Sequence, residues 1–138
     1  MIDVHAHAEA LLEALAARGL RVYDSGAGNK LDGSYETPVL PYCVVYIDGG
    51  LRSALSLVDD HEEQADFDAE IWSVGKSPRS ARAVRSDVLA LVGQVLTVGG
   101  RKARIDSVFS DPVKPDRDDP RTALFQGRDG VTVVSLQA

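Results

Sequence analysis

His5, His7 and Glu9, close to the start of the chain, are the residue types that bind divalent metal ions. An extended His-x-His segment would let both rings reach one ion, as a small metal-dependent enzyme requires. A helix would not, because positions two apart lie about 200° around the helix axis and point to opposite sides. Asp3 is a good helix cap, and Val4, Ala8, Leu11, Leu12 and Leu15 follow at helical spacing. The spacing therefore predicts a helix, with His5 and His7 exposed near its start and sharing no ion. His61 stands among Asp59, Asp60, Glu62 and Glu63, a charge run that reads as a solvated connection. Gly26 and Gly28 lack the Gly-Lys-Ser/Thr and the following helix of a phosphate loop. No serine sits in a Gly-x-Ser-x-Gly elbow. Cys43, the single cysteine, lies in an apolar run and reads as a small buried hydrophobe. No catalytic residue, metal site or cofactor is expected.

Two charge features remain. Lys76, Arg79, Arg82 and Arg85 gather at the start of a predicted long helix. The interval between Arg52 and Lys76 holds no Lys or Arg, but does hold Asp59, Asp60, Glu62, Glu63, Asp66, Asp68 and Glu70. Paired across a subunit boundary, the two segments would set register and orientation more than affinity. Pairing within one chain, or with water, is the plainer reading. The net charge of −6 argues against sequence-independent nucleic-acid binding, which depends on neutralising phosphates, and against an anionic membrane surface. The start carries no basic leader, and nothing reaches the roughly 18 unbroken apolar residues of a membrane span. Synthesis in a cytoplasm and no membrane partner are the expectation.

The elements that must position these residues follow from patterning. At 138 residues the chain is one domain's worth. The first helix ends at Gly19, and Leu20, Arg21, Val22 and Tyr23 make a short strand. Residues 24–41 are rich in Gly, Ser, Asn, Asp and Pro and form a long loop, able to order only on docking. Residues 42–47 read as a strand covered on both faces, and Asp48, Gly49 and Gly50 as a turn. Residues 51–58 fit either helix or strand, with strand preferred. In the strand over 67–74, Phe67, Ala69, Ile71 and Ser73 face one way, and Asp68, Glu70, Trp72 and Val74 the other. Ser77 caps the long helix, Pro78 opens it, and Ala81, Val84, Val88, Leu91, Val92 and Val95 make its buried stripe. Gly93 falls inside that helix, and Gly99 and Gly100 end it. Residues 101–110 form a strand with Ala103, Ile105, Ser107 and Phe109 on one face. Residues 111–121 are a Pro-rich loop, and 122–126 pairs with 131–136 as a hairpin across Gly127, Arg128, Asp129 and Gly130. The fold class is α+β: one mainly antiparallel sheet of five to six strands, with two helices on one face. The other face is then half-bare. Trp72 on it, with Leu89 on the flank of the long helix, joins the charged residues as a candidate interface.

Together, Val22-Tyr23, the Gly/Pro-rich loop closing on Leu40-Pro41-Tyr42, the strand ending Ile71-Trp72-Ser73 and the helix opening Ser77-Pro78-Arg79-Ser80-Ala81-Arg82 carry a family likeness. The pattern resembles the tail terminator and minor tail proteins of long-tailed bacteriophages, especially those of actinobacterial hosts. The resemblance spans roughly residues 8 to 110. It implies a non-enzymatic virion protein that forms a hexameric ring on the last ring of tail-tube subunits and faces the head-tail connector. Its partners would be its own copies, the tail-tube protein and the connector protein. DNA would only pass through the lumen, whose acidic lining would repel it. A neck or head-completion protein is the alternative from the same setting, and a small metal-dependent enzyme using His5 and His7 the alternative from another.

Overall fold

The structure, a computed structural model, describes residues 3–52, 64–119 and 121–136. Helix α1 (Val4–Ala17) leads to strand β1 (Val22–Asp24), β2 (Tyr42–Arg52) and β3 (Gln64–Gly75). Helix α2 (Pro78–Leu89) follows, then β4 (Val95–Val98), β5 (Arg101–Ser110), β6 (Lys114–Pro115) and β7 (Phe125–Leu136). All seven strands join one sheet in the order β1-β2-β3-β7-β5-β4, with β6 paired beside β7. The fold is α+β with both helices on one face. The sheet is mixed, since β1 runs parallel to β2 while the other pairs are antiparallel.

Local chemistry starts both helices. Asp3 accepts the backbone N–H of Ala6 at 3.1 Å. Ser77 and Ser80 cap each other's backbone N–H, both at 3.1 Å, and Pro78 fills the first helical position, where no N–H is needed. Leu11, Leu12 and Leu15 of α1 and Val84 and Val88 of α2 enter one core with Val22, Cys43, Val45, Phe67, Ile71, Ile105, Val131 and Val133. Helix α2 lies over the central strands β3 and β7. Helix α1 touches β1 and β2, near one margin of the sheet, and β4 at the other margin. One helix meets both margins only if the sheet curls around it. Cys43 is fully buried in this core, and desolvation pushes its thiol up to about 12.

Four sequence expectations are corrected. The chain does not reverse at Asp48, Gly49 and Gly50: β2 runs straight through them against β3, with a bulge between Gly49 and Leu51. The long helix stops earlier than its apolar stripe suggests. Gly93 sits at φ +86° outside α2, and Val95 belongs to β4, which turns through Gly99 and Gly100 into β5. No hairpin forms at residues 127–130, because β7 is one continuous strand. Its glycines serve close approach instead: a side chain at Gly127 would collide with the Arg85 guanidinium, and one at Gly130 with the Phe109 ring. Finally, a register shift between Ser107 and Phe109 turns Phe109 to the outer face, away from Ile105. The preference for a strand over 51–58 falls mostly outside the described residues.

The loop at 24–41 is stitched to the chain without a partner. Ser25 N–H donates to the Val45 carbonyl at 2.8 Å, Lys30 to Ser34 at 2.8 Å and Glu36 to Gly28 at 2.9 Å. Gly28, at φ +92°, lets the Glu36 backbone press against it. Burial pushes the Tyr23 phenol above its ordinary range, so it stays protonated and donates to Glu36 Oε1 at 2.7 Å. The Tyr23 hydroxyl oxygen in turn accepts the Val39 N–H at 3.1 Å. These backbone groups thus find partners within the chain itself.

Inside the core, α2 is fastened to β7 by charge. Arg85 Nε donates to Asp129 Oδ2 at 2.9 Å, with the Asp129 side chain fully buried and Arg85 15% exposed. Ser110 Oγ donates to the other carboxylate oxygen at 2.5 Å, and Arg85 Nη2 donates to the Asp111 carbonyl. Removing one partner strands a buried charge, so Asp129→Ala should lower unfolding stability by about 3–5 kcal/mol in urea titrations. A loss below about 1 kcal/mol would show that the pair does not fasten the helix. For the loop, hydrogen exchange in the isolated chain should be slow at the Ser25, Lys30, Glu36 and Val39 amides. Exchange there as fast as in an unfolded peptide would contradict the bonding described.

Candidate interaction surface

The outer face of the sheet, opposite the helices, divides into two zones. At one end Tyr23, Tyr42, Val44 and Val74 form a small second core, closed over by Leu40 and Leu124 with Trp72 at its border. Here the two long loops do the covering. Residues 111–121 contribute through β6 and through Asp116, whose backbone N–H donates to Leu124. Among the described residues, nothing covers the part of the face around Tyr46, Val108 and Phe109. A shallow groove of about 360 Å³ crosses it, lined by Tyr46, Asp68, Glu70, Val108 and Phe109 over the β7 backbone at Gly130. Tyr46 is 43% exposed, Val108 61% and Phe109 38%. These large side chains are grouped on one part of the sheet face.

Arg128 organises the border between the two zones. Its guanidinium lies 4.9 Å from the Phe109 ring centre and 5.7 Å from that of Trp72. Asp111 Oδ2 accepts from its Nη2 at 2.8 Å, and Glu70 lies 3.8 Å away. Glu70 also accepts the Trp72 indole N–H at 3.1 Å. Trp72, expected as an outward interface residue, is therefore half-buried and partly occupied within the chain. No sequence pattern pointed to Arg128 or Tyr46. The alternation along β3 and β2 was the available signal, because it puts Tyr46 opposite Glu70 and Glu70 opposite Gly130.

The basic cluster is split. Lys76, Arg79 and Arg82 are exposed, and none has an ion-pair partner among the described residues. Arg85 instead turns inward to Asp129 and is not free for a neighbour. Leu89 is half-buried at the end of α2. Asp59, Asp60, Glu62 and Glu63, with His61, lie outside the described residues. From the acid-only interval, Asp68 is exposed on the outer face, where it accepts from Thr132 at 3.0 Å.

The histidines do not converge. His5 is exposed and pairs with Glu9 at 3.0 Å. His7, expected to be exposed, is buried: its ring stacks on Phe67 with centres 4.5 Å apart. Its Nδ1–H donates to the Asp3 carbonyl at 2.7 Å, which leaves Nε2 to accept from Ser135 Oγ at 2.7 Å. Arg101 in turn donates to Ser135 Oγ at 2.8 Å. The helical stripe was read from aliphatic residues alone, which hid a histidine able to satisfy both nitrogens inside the core. Both ring nitrogens are engaged, so His7 has none to offer a metal in this arrangement. Among the described residues no group of three or more His, Cys, Asp or Glu side chains is set to hold an ion, and no helix is long and apolar enough to cross a membrane.

No protein-family model and no curated protein matches this chain. Solved structures do share its fold. One, whose designation states no function, is 18% identical, with a TM-score of 0.58 across 97% of this chain and 92% of its own. Another is a chain from the virion of a native gene transfer agent particle. It is 19% identical, with a TM-score of 0.54 and 92% of each chain covered. At these identities the likeness establishes the fold, and it does so over nearly the whole length of both partners.

The single tryptophan reports on this surface. Arg128→Ala should increase acrylamide quenching of Trp72 fluorescence and cost about 1 kcal/mol of stability, the scale of a partly exposed cation–π contact. Unchanged quenching would place the guanidinium elsewhere in solution.

Proposed function

We propose that this chain is a structural subunit of a virion, and more specifically the tail terminator of a long-tailed bacteriophage of the kind that infects actinobacteria. In this reading it assembles as a ring, hexameric in the resembling family, on the end of the tail tube. There it stops tube growth and presents a surface to the head-tail connector. The observation that carries the reading is the fold shared, over 92% of both chains, with a protein of a gene transfer agent virion. Two features of the chain itself support it. The outer sheet face keeps a groove walled by the exposed Tyr46, Val108 and Phe109 beside Asp68 and Glu70. The buried polar residues His7 and Asp129 are engaged in internal bonds, with Ser135 and Arg85. Both features support a reading in which the work is contact rather than turnover.

A ring subunit needs two complementary side surfaces, because head-to-tail contacts are the ones that close a cycle. The net charge of −6 also suits a conduit for DNA, since a lumen lined by carboxylates repels the passing duplex.

Purified chain mixed with polymerising tail-tube protein should bind tube ends and shorten the tubes in electron micrographs. Binding to the portal-side connector but not to the tube would favour the neck-protein reading. Binding to neither, and to no other virion component, would overturn the assignment.

A further inference from the structure

The first turn of α2 and the outer-face groove are complementary in both charge and chemistry. We propose that the groove of one copy seats the α2 first turn of a second copy, in a head-to-tail contact. The proposal rests on the reading of this chain as a self-assembling virion subunit, and it names the two surfaces that meet.

Charge is the first argument. Asp68 and Glu70 line the groove, and Glu70 and Asp111 pair with the Arg128 guanidinium at its border, so these three carboxylates outnumber that one cation. Lys76, Arg79 and Arg82 stand exposed, with no ion-pair partner among the described residues. The positive end of the α2 dipole lies at the same turn and adds to their field.

Side-chain chemistry is the second. The groove walls are Tyr46, Val108 and Phe109, surfaces suited to aliphatic arginine stems and to guanidinium stacking. The chain already displays this chemistry internally, where Arg128 stacks on Phe109 and Trp72 and pairs with carboxylates. Between its cations the incoming turn presents only the half-buried Ser77, Pro78 and Ser80, while Ala81 faces the core, a narrow profile for a shallow groove.

Geometry is the third. Helix α2 packs on the inner face of the sheet and the groove opens on the outer face. A chain cannot bring the one into the other, whereas successive copies can, each using both surfaces. Groove-to-groove pairing is disfavoured because it would oppose carboxylates.

The test is a charge swap read by sedimentation velocity and native mass spectrometry. Arg79→Glu with Arg82→Glu should weaken self-association by at least about tenfold, and so should Asp68→Lys with Glu70→Lys. Mixed in equal amounts, the two variants should associate again, because each then offers the surface the other needs. Val108→Ser, at an exposed position, removes apolar wall without changing charge and should also weaken association. Circular dichroism should be unchanged throughout, since all these sites are at the surface. If wild type assembles while the swapped variants assemble equally well, this interface is wrong and the ring reading survives. If wild type stays monomeric at every concentration, alone and with tube protein, both fall.

Discussion

The ion pair of Arg85 and Asp129 is the constraint on which the rest of the architecture depends. It joins the helix over the sheet to the strand at the sheet's centre, and it does so inside the core. Such a pair contributes little net stability over apolar packing, because desolvating both charges costs about what their attraction returns. Its effect is on position. The guanidinium must cross directly over β7 to reach the carboxylate, and Gly127 is the residue that leaves room for it. Ser110 satisfies the second carboxylate oxygen and the Asp111 carbonyl a further guanidinium N–H, so the end of β5 is drawn into the same arrangement. A shift of β7 by one residue would turn Asp129 to the outer face and leave Arg85 buried and unpaired.

With the inner face settled in this way, the outer face is left to serve two purposes. Its apolar end is closed by the chain's own loops, anchored through Tyr23 and Leu124. The open end carries the groove. The boundary is drawn by Arg128, held by two aromatic rings and two carboxylates. An arginine so held is rigid and presents its neighbours Glu70 and Phe109 in fixed positions. A fixed surface loses less entropy on contact than a mobile one.

What could be read from the chain was what depends on neighbours in sequence. The caps at Asp3 and Ser77, the glycine after α1 and the two faces of β3 all follow from spacing over a few residues, and they stand as expected. The misreadings share a physical cause. Gly49 and Gly50 look like a turn but form a bulge; Gly127 and Gly130 look like a hairpin loop but make room for Arg85 and Phe109. A glycine tolerates both a reversal and a close approach, and only the distant partner decides between them. Val95 continued a helical stripe by coincidence of spacing, although Gly93 had already ended the helical path. His7 and Asp129 were opaque for a similar reason. Each is a polar residue inside the core, made tolerable by a partner 128 residues away in one case and 44 in the other. The outer face was legible as a bare surface, but its groove depends on a shift in β5 that alternation does not announce.

Asp111 touches both sides of this arrangement. Its carbonyl accepts from Arg85 beneath the sheet, while its carboxylate holds Arg128 above it. One residue at the end of β5 therefore bolts the helix layer to the groove layer, and the direction in which α2 points is set relative to the direction in which the groove opens. In the head-to-tail contact proposed above, that relative direction would be the turning angle per step. A stiff angle that divides a full circle yields a closed annulus of definite size, whereas a loose one yields rings of several sizes or an open spiral.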